Sequence, residues 1–117
     1  MSLPRDPRLF IDDMMSAAEM LEQIIANGED AFVQNPLTRL ASERLIEIIG
    51  EAATQLPAEI RQQFTQVPWR DLVDMRNRII HGYHTLDARR VWAAIVSGIP
   101  ELARQLQSVL EALDSES

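Results

Sequence analysis

The chain has no cysteine and no lysine, so apart from two histidines every basic residue is an arginine. Without cysteine there is no disulfide framework, no thiolate nucleophile and no cysteine-based zinc site. No apolar run approaches the length of a bilayer-spanning helix, and the first residues lack the charged-then-apolar pattern of a secretion signal. The expected location is therefore cytoplasmic, with no membrane partner. Glycines number four and aromatics make up 5 % of the residues, and no stretch alternates as a strand does. Those shortages point away from sheet architectures and toward a helical bundle. Glycine-rich phosphate loops, a Gly-x-Ser-x-Gly elbow and a His-Glu-x-x-His pair are also missing, which removes the common nucleotide-loop, serine-hydrolase and zincin chemistries.

Almost half of the 117 residues are apolar, enough for the core of one domain spanning 1–117, with a frayed polar tail over about 114–117. Apolar residues at spacings of three and four mark a helix that begins at Asp6-Pro7 and ends at Asn27-Gly28. A second long helix begins near Pro36 and runs to about Thr54, apolar on more than one face and so either central or packed on a second subunit. Gly50 lies inside it. Glycine there should cost about 1 kcal/mol relative to alanine, a cost that suggests another helix approaching closely. Short helices are expected around Phe32 and after Pro57. A third long helix follows Pro68 and stops near Gly82. A last helical region follows Thr85 or Asp87 as N-cap, and Pro100 should kink or split it. The expected architecture is all-α, four main helices plus one or two short ones.

The net charge of −7 argues against a protein that coats nucleic acid by phosphate neutralisation alone. The distribution is uneven. Residues 1–69 carry five arginines against eleven acids, and residues 91–117 one against four, whereas residues 70–90 carry Arg70, Arg76, Arg78, Arg89 and Arg90 against three acids. Arginine's planar fork suits phosphate, so Arg70, Arg78, Arg89 and Arg90 are candidate RNA contacts.

That basic window contains Arg76, Asn77, His81 and Tyr83 around the helix stop at Gly82. Histidine as a residue type exchanges a proton near neutrality, and arginine can hold a phosphate through two donors. Asn77 stands four residues before His81 and could orient its ring. Arg76 stands five residues before it, about 140° round the helix. Either the helix unwinds at Gly82, or two copies of the motif meet across a dimer to complete one site. The alternatives are structural: His81 capping its helix end, Arg76 paired with a carboxylate, Tyr83 as a half-buried anchor. His81 and His84 straddle a glycine with no third ligand beyond Asp87, so no metal site and no cofactor is expected.

Arg76-Asn77-x-x-x-His81-Gly82-Tyr83 resembles the Arg-x4-His-x-Tyr signature of the HEPN superfamily, and in particular its HepT-like toxin branch. Glu-Ile-Ile-Gly-Glu-Ala at 47–52, Pro68-Trp69-Arg70, Asp74-Met75-Arg76-Asn77 and Val91-Trp92 are similar to that branch too, in the same order and at similar spacing. The resemblance implies a helical bundle that forms a homodimer, with two motifs facing one cleft, and a metal-independent endoribonuclease activity. On that basis Arg76 and His81 would be catalytic, with Asn77 and Tyr83 in support. The branch also implies a MntA-like nucleotidyltransferase antitoxin as partner, acting by AMP transfer to the motif tyrosine, here Tyr83, to give an O-AMP-tyrosine. A non-catalytic helical module that binds nucleotide or protein beside the same nucleotidyltransferase is the alternative.

Overall fold

The computed structural model describes residues 5–82 and 87–116. Tyr83, His84, Thr85 and Leu86 lie outside that set, and with them the expected modification site, the second histidine and one of the two suggested N-caps. The described residues form six helices and no strand. None of the helices is long and apolar enough to cross a membrane.

Helix α1 spans Pro7–Ala26. The Asp6 carboxylate accepts from the Arg8 amide at 3.0 Å, and Pro7 occupies a first-turn position where no amide is needed. Its stripe of Phe10, Ile11, Met14, Ala17, Ala18 and Leu21 is buried. The helix ends at Asn27, and Gly28 follows with φ of +93°, a conformation that side chains resist, turning the chain into the short α2, Glu29–Gln34. Phe32 of α2 is fully buried and packs its ring 5.4 Å from that of Trp92.

Helix α3 spans Pro36–Gln55, opened by the Asn35 side chain, which accepts from the Leu37 and Thr38 amides. Ser42 is buried within it and is satisfied by donating to the Thr38 carbonyl at 2.9 Å. Helix α4, Ala58–Gln63, leads into α5, Trp69–Gly82. The buried Trp69 indole donates to the Phe64 carbonyl at 2.9 Å, tying the first residue of α5 to the end of α4. Helix α6, Ala88–Ser115, opens on Asp87, whose carboxylate accepts from the Arg89 amide.

Helix α1 packs on both α3 and α6, and α3 carries α5 on its other side. The helix expected to be central is therefore α3. Helices α5 and α6 barely touch each other, leaving an apolar groove of about 220 Å³ floored by Ile46 and Ile49 and walled by Leu72, Met75, Ile95 and Ile99.

Two expectations bear on α6. Of the kink or split expected at Pro100, the split does not occur, and the proline lies inside one helix. Ile95 and Ile99 before it and Leu102, Ala103 and Leu106 after it are all buried, so both halves are held against the core and packing outweighs one lost backbone bond. Of the tail residues 114–117, Asp114 and Ser115 stand in the last turn of the helix. Asp114 receives a hydrogen bond from Arg8 at 3.1 Å, and Glu116 one from Gln63 at 2.6 Å, so contacts distant in sequence hold the end down.

Candidate active site at the end of the fifth helix

The apolar residues of α5 face α3, with Ile79 buried and Leu72, Val73 and Met75 half-buried. Its polar residues are graded along the same helix. Arg76 and Asn77 are half-buried, Arg78 and His81 exposed. A histidine in the last turn, beyond the buried Ile79, reaches solvent while its backbone stays in the helix.

Helix α5 is unbroken through His81 and Gly82, which removes unwinding before Gly82 as a way of aligning Arg76 with His81. The two residues leave the helix in directions about 140° apart, separated along its axis by about 7.5 Å. One copy of α5 thus presents the arginine toward α3 and the histidine toward solvent.

The Arg76 stem lies against α3 at Gly50. A Cβ built on Gly50 would collide with the Cβ of Arg76, stand 2.8 Å from its Cγ and 3.0 Å from the Leu72 carbonyl oxygen. The close approach suggested by a glycine inside a strong helix is therefore an approach of this arginine. Farther out, Arg76 Nη1 donates to Asn77 Oδ1 at 3.0 Å. Asn77, which the spacing allowed to orient His81, has its side-chain oxygen engaged with the arginine instead. Arg76 Nε is shut off from solvent and has no hydrogen-bond partner. Among the described residues Arg76 has no carboxylate within ion-pair distance, so the structural alternative of a paired arginine finds no support there.

Beside this helix end the first half of α3 and the last turns of α5 line a groove of about 330 Å³, formed by Leu40, Glu43, Arg44, Glu47, Ile79 and Ile80. Burial pushes the Glu43 carboxyl above its ordinary value of 4.5, Arg39 pulls it back, and the charge of Glu47 raises it further. A single glutamate on an amphipathic helix gives no signal in sequence, and Glu43 was not foreseen as part of this region. Three apolar side chains are left uncovered on the same two helices: Leu37 at 75 % exposure, Leu40 at 57 % and Ile80 at 37 %.

The basic window does not gather into one patch within a single chain. Arg70 stands at the start of α5, about 16 Å along the helix from His81. Arg78 is exposed near the motif. Arg89 and Arg90 open α6, and Arg89 is already paired with Glu29 at 2.9 Å.

Comparison with known proteins places these residues in a wider setting. The family profile described as "Ribonuclease HepT-like" matches residues 14–109. The chain is 34 % identical over 108 residues to "Putative RNase TTE0752" of Caldanaerobacter subterraneus subsp. tengcongensis, covering 92 % of this chain and 96 % of that one. It is 31 % identical to "Putative RNase MJ1380" of Methanocaldococcus jannaschii, with 90 % and 97 % covered. It is 29 % identical to "Probable ribonuclease HepT" of Thermococcus cleftensis, with 92 % and 98 % covered. No solved structure matches the chain.

Proposed function

The chain belongs to the HepT-like ribonuclease family, and from that premise we propose that it is a metal-independent endoribonuclease, the toxin of a toxin–antitoxin pair, working as a homodimer. One observation carries this reading. An arginine without a carboxylate partner among the described residues, hydrogen-bonded to Asn77, lies on the same helix as a solvent-facing histidine. A purely structural arginine, half-buried as Arg76 is, would be expected to sit on a carboxylate.

The proposed reaction is an internal transesterification. The ribose 2′-hydroxyl gives up its proton, its oxygen bonds to the adjacent phosphorus, and the bond from that phosphorus to the 5′-oxygen of the next nucleotide breaks. That oxygen takes a proton. The products are a 2′,3′-cyclic phosphate and a free 5′-hydroxyl. Arg76 offsets the charge that builds on the phosphorane-like oxygens, and His81 handles the proton transfers. Because Arg76 and His81 diverge on one helix, a second copy supplies the missing side of the cleft: His81 acts at one oxygen and the partner's His81 at the other.

The uncovered Leu37, Leu40 and Ile80 support a second copy seated on the α3–α5 corner. Doubling the chain also doubles Arg78, exposed near the motif, which helps an otherwise acidic protein hold RNA. Control by AMP transfer to Tyr83 from a nucleotidyltransferase antitoxin completes the proposal. A phosphate there would occupy the cleft and repel the RNA backbone.

The test is His81→Ala. His81 is exposed, so the variant should keep its helical content and melting temperature while losing cleavage of single-stranded RNA. The wild type should cut equally well in EDTA and leave cyclic-phosphate ends. A His81→Ala protein that cuts at the wild-type rate, or a wild type silenced by EDTA, would overturn the reading.

A further inference from the structure

We infer that Gly50 is a positioning residue for the reaction: the missing side chain on α3 sets how deeply the Arg76 stem sits, and through it where the guanidinium meets the phosphate. The inference rests on the proposed role of Arg76. Glycine is the poorest helix former apart from proline, yet here it stands inside a 20-residue helix, more than a turn from either end. The space it leaves is filled by the Cβ and Cγ of Arg76.

Neither of the nearest obstacles can move aside locally. The Arg76 Cβ is fixed by the α5 backbone, and the Leu72 carbonyl is part of that backbone. A side chain at position 50 must therefore displace α5 as a body. Helix α5 rests chiefly on α3 and barely touches α6, so beyond the Trp69 tie at its first residue little opposes an outward shift. The bond from Arg76 to Asn77 lies within α5 and travels with it. Such a shift moves the arginine, the asparagine and His81 together, away from α3 and out of register with the α3 surface that the second copy uses. A misplacement of about 1 Å can cost about 100-fold in rate.

The experiment measures kcat and KM on a fluorescein-labelled single-stranded RNA of mixed sequence, with thermal unfolding of each variant. Gly50→Ala should lower kcat about 100-fold with little change in KM. Val109→Ala, a buried truncation in α6, should lower the melting temperature yet keep wild-type kcat when assayed well below it. If the contact is with Arg76, Gly50→Ala should lower the melting temperature less in an Arg76→Gly background, where the colliding carbons are gone. Should Gly50→Ala alone fail to fold, the double variant should fold.

Wild-type kcat in a folded Gly50→Ala protein would overturn the inference. So would an equal thermal loss in both backgrounds, or a double variant that also fails to fold. Arg76→Ala with unchanged kcat would instead overturn the catalytic role of Arg76, while the thermal comparison would still report the packing of residue 50 on residue 76.

Discussion

Leu40→Asp is the substitution that most directly tests whether the site is shared between two copies. Leu40 is 57 % exposed on the first half of α3 and lines the groove beside Ile79 and Ile80. Within one chain it makes few contacts, so an aspartate there should change the stability of the isolated fold by no more than about 0.5 kcal/mol. The dimer is a different matter. Fully burying a leucine is worth about 1.5–3 kcal/mol, so covering the exposed part of Leu40 should contribute about 1–2 kcal/mol. A two-fold interface uses the residue twice, giving about 2–4 kcal/mol, a weakening of roughly 30- to 800-fold before any cost of desolvating two carboxylates. Glu43 and Glu47 line the same groove, and their charges add like-sign repulsion to the two new aspartates. Light scattering at micromolar concentration should give about twice the 13.3 kDa chain mass for the wild type and the single-chain mass for Leu40→Asp. RNA cleavage should fall in step with the loss of dimer, with unchanged helical content. A monomeric Leu40→Asp that cuts RNA normally would refute the composite site, and one that stays dimeric would refute this surface.

Tyr83→Phe should abolish the added AMP mass seen after co-expression of the wild type with the cognate nucleotidyltransferase, and should stay toxic in that partner's presence. AMP on another residue, or full neutralisation of the variant, would leave Tyr83 without the proposed role. For Glu43, burial raises the folded-state pKa above its ordinary value, so the folded chain holds the proton more tightly than the unfolded chain. The associated stability is present below the unfolded value and is lost as pH rises through the folded one. Glu43→Gln should therefore raise the melting temperature slightly at pH 7, solvent screening of the part-exposed carboxyl keeping the gain small, and give no gain well below the ordinary glutamate value. An equal gain at both pH values, or a loss at neutral pH, would contradict that sign.

Local signals in the sequence marked where several helices begin. Asp6-Pro7 and Pro36 stand at the starts of α1 and α3, and of the two N-caps open for the last helix, Thr85 or Asp87, the structure shows Asp87 capping. The turn at Gly28 and the apolar stripe of α1 were equally legible, because they depend on neighbours within a few residues. The polar end of α5 was legible for the same reason: its apolar stripe stops at Ile80, and His81 comes directly after it.

Tertiary packing decided the rest. Pro100 should kink or split its helix by local chemistry, but buried contacts on both sides keep α6 from splitting. At the polar tail, Arg8 and Gln63, far away in the chain, reach Asp114 and Glu116. Gly50 announced a close approach without saying of what, since the pattern of one helix carries no record of its neighbour's register. Only the packing of α3 on α5 shows that the neighbour is Arg76. Spacing likewise gave the angle between Arg76 and His81, but left open whether the helix stays intact between them. It stays intact because Ile79 is buried among the apolar residues that fasten α5 to α3, and burial of that kind depends on the whole bundle.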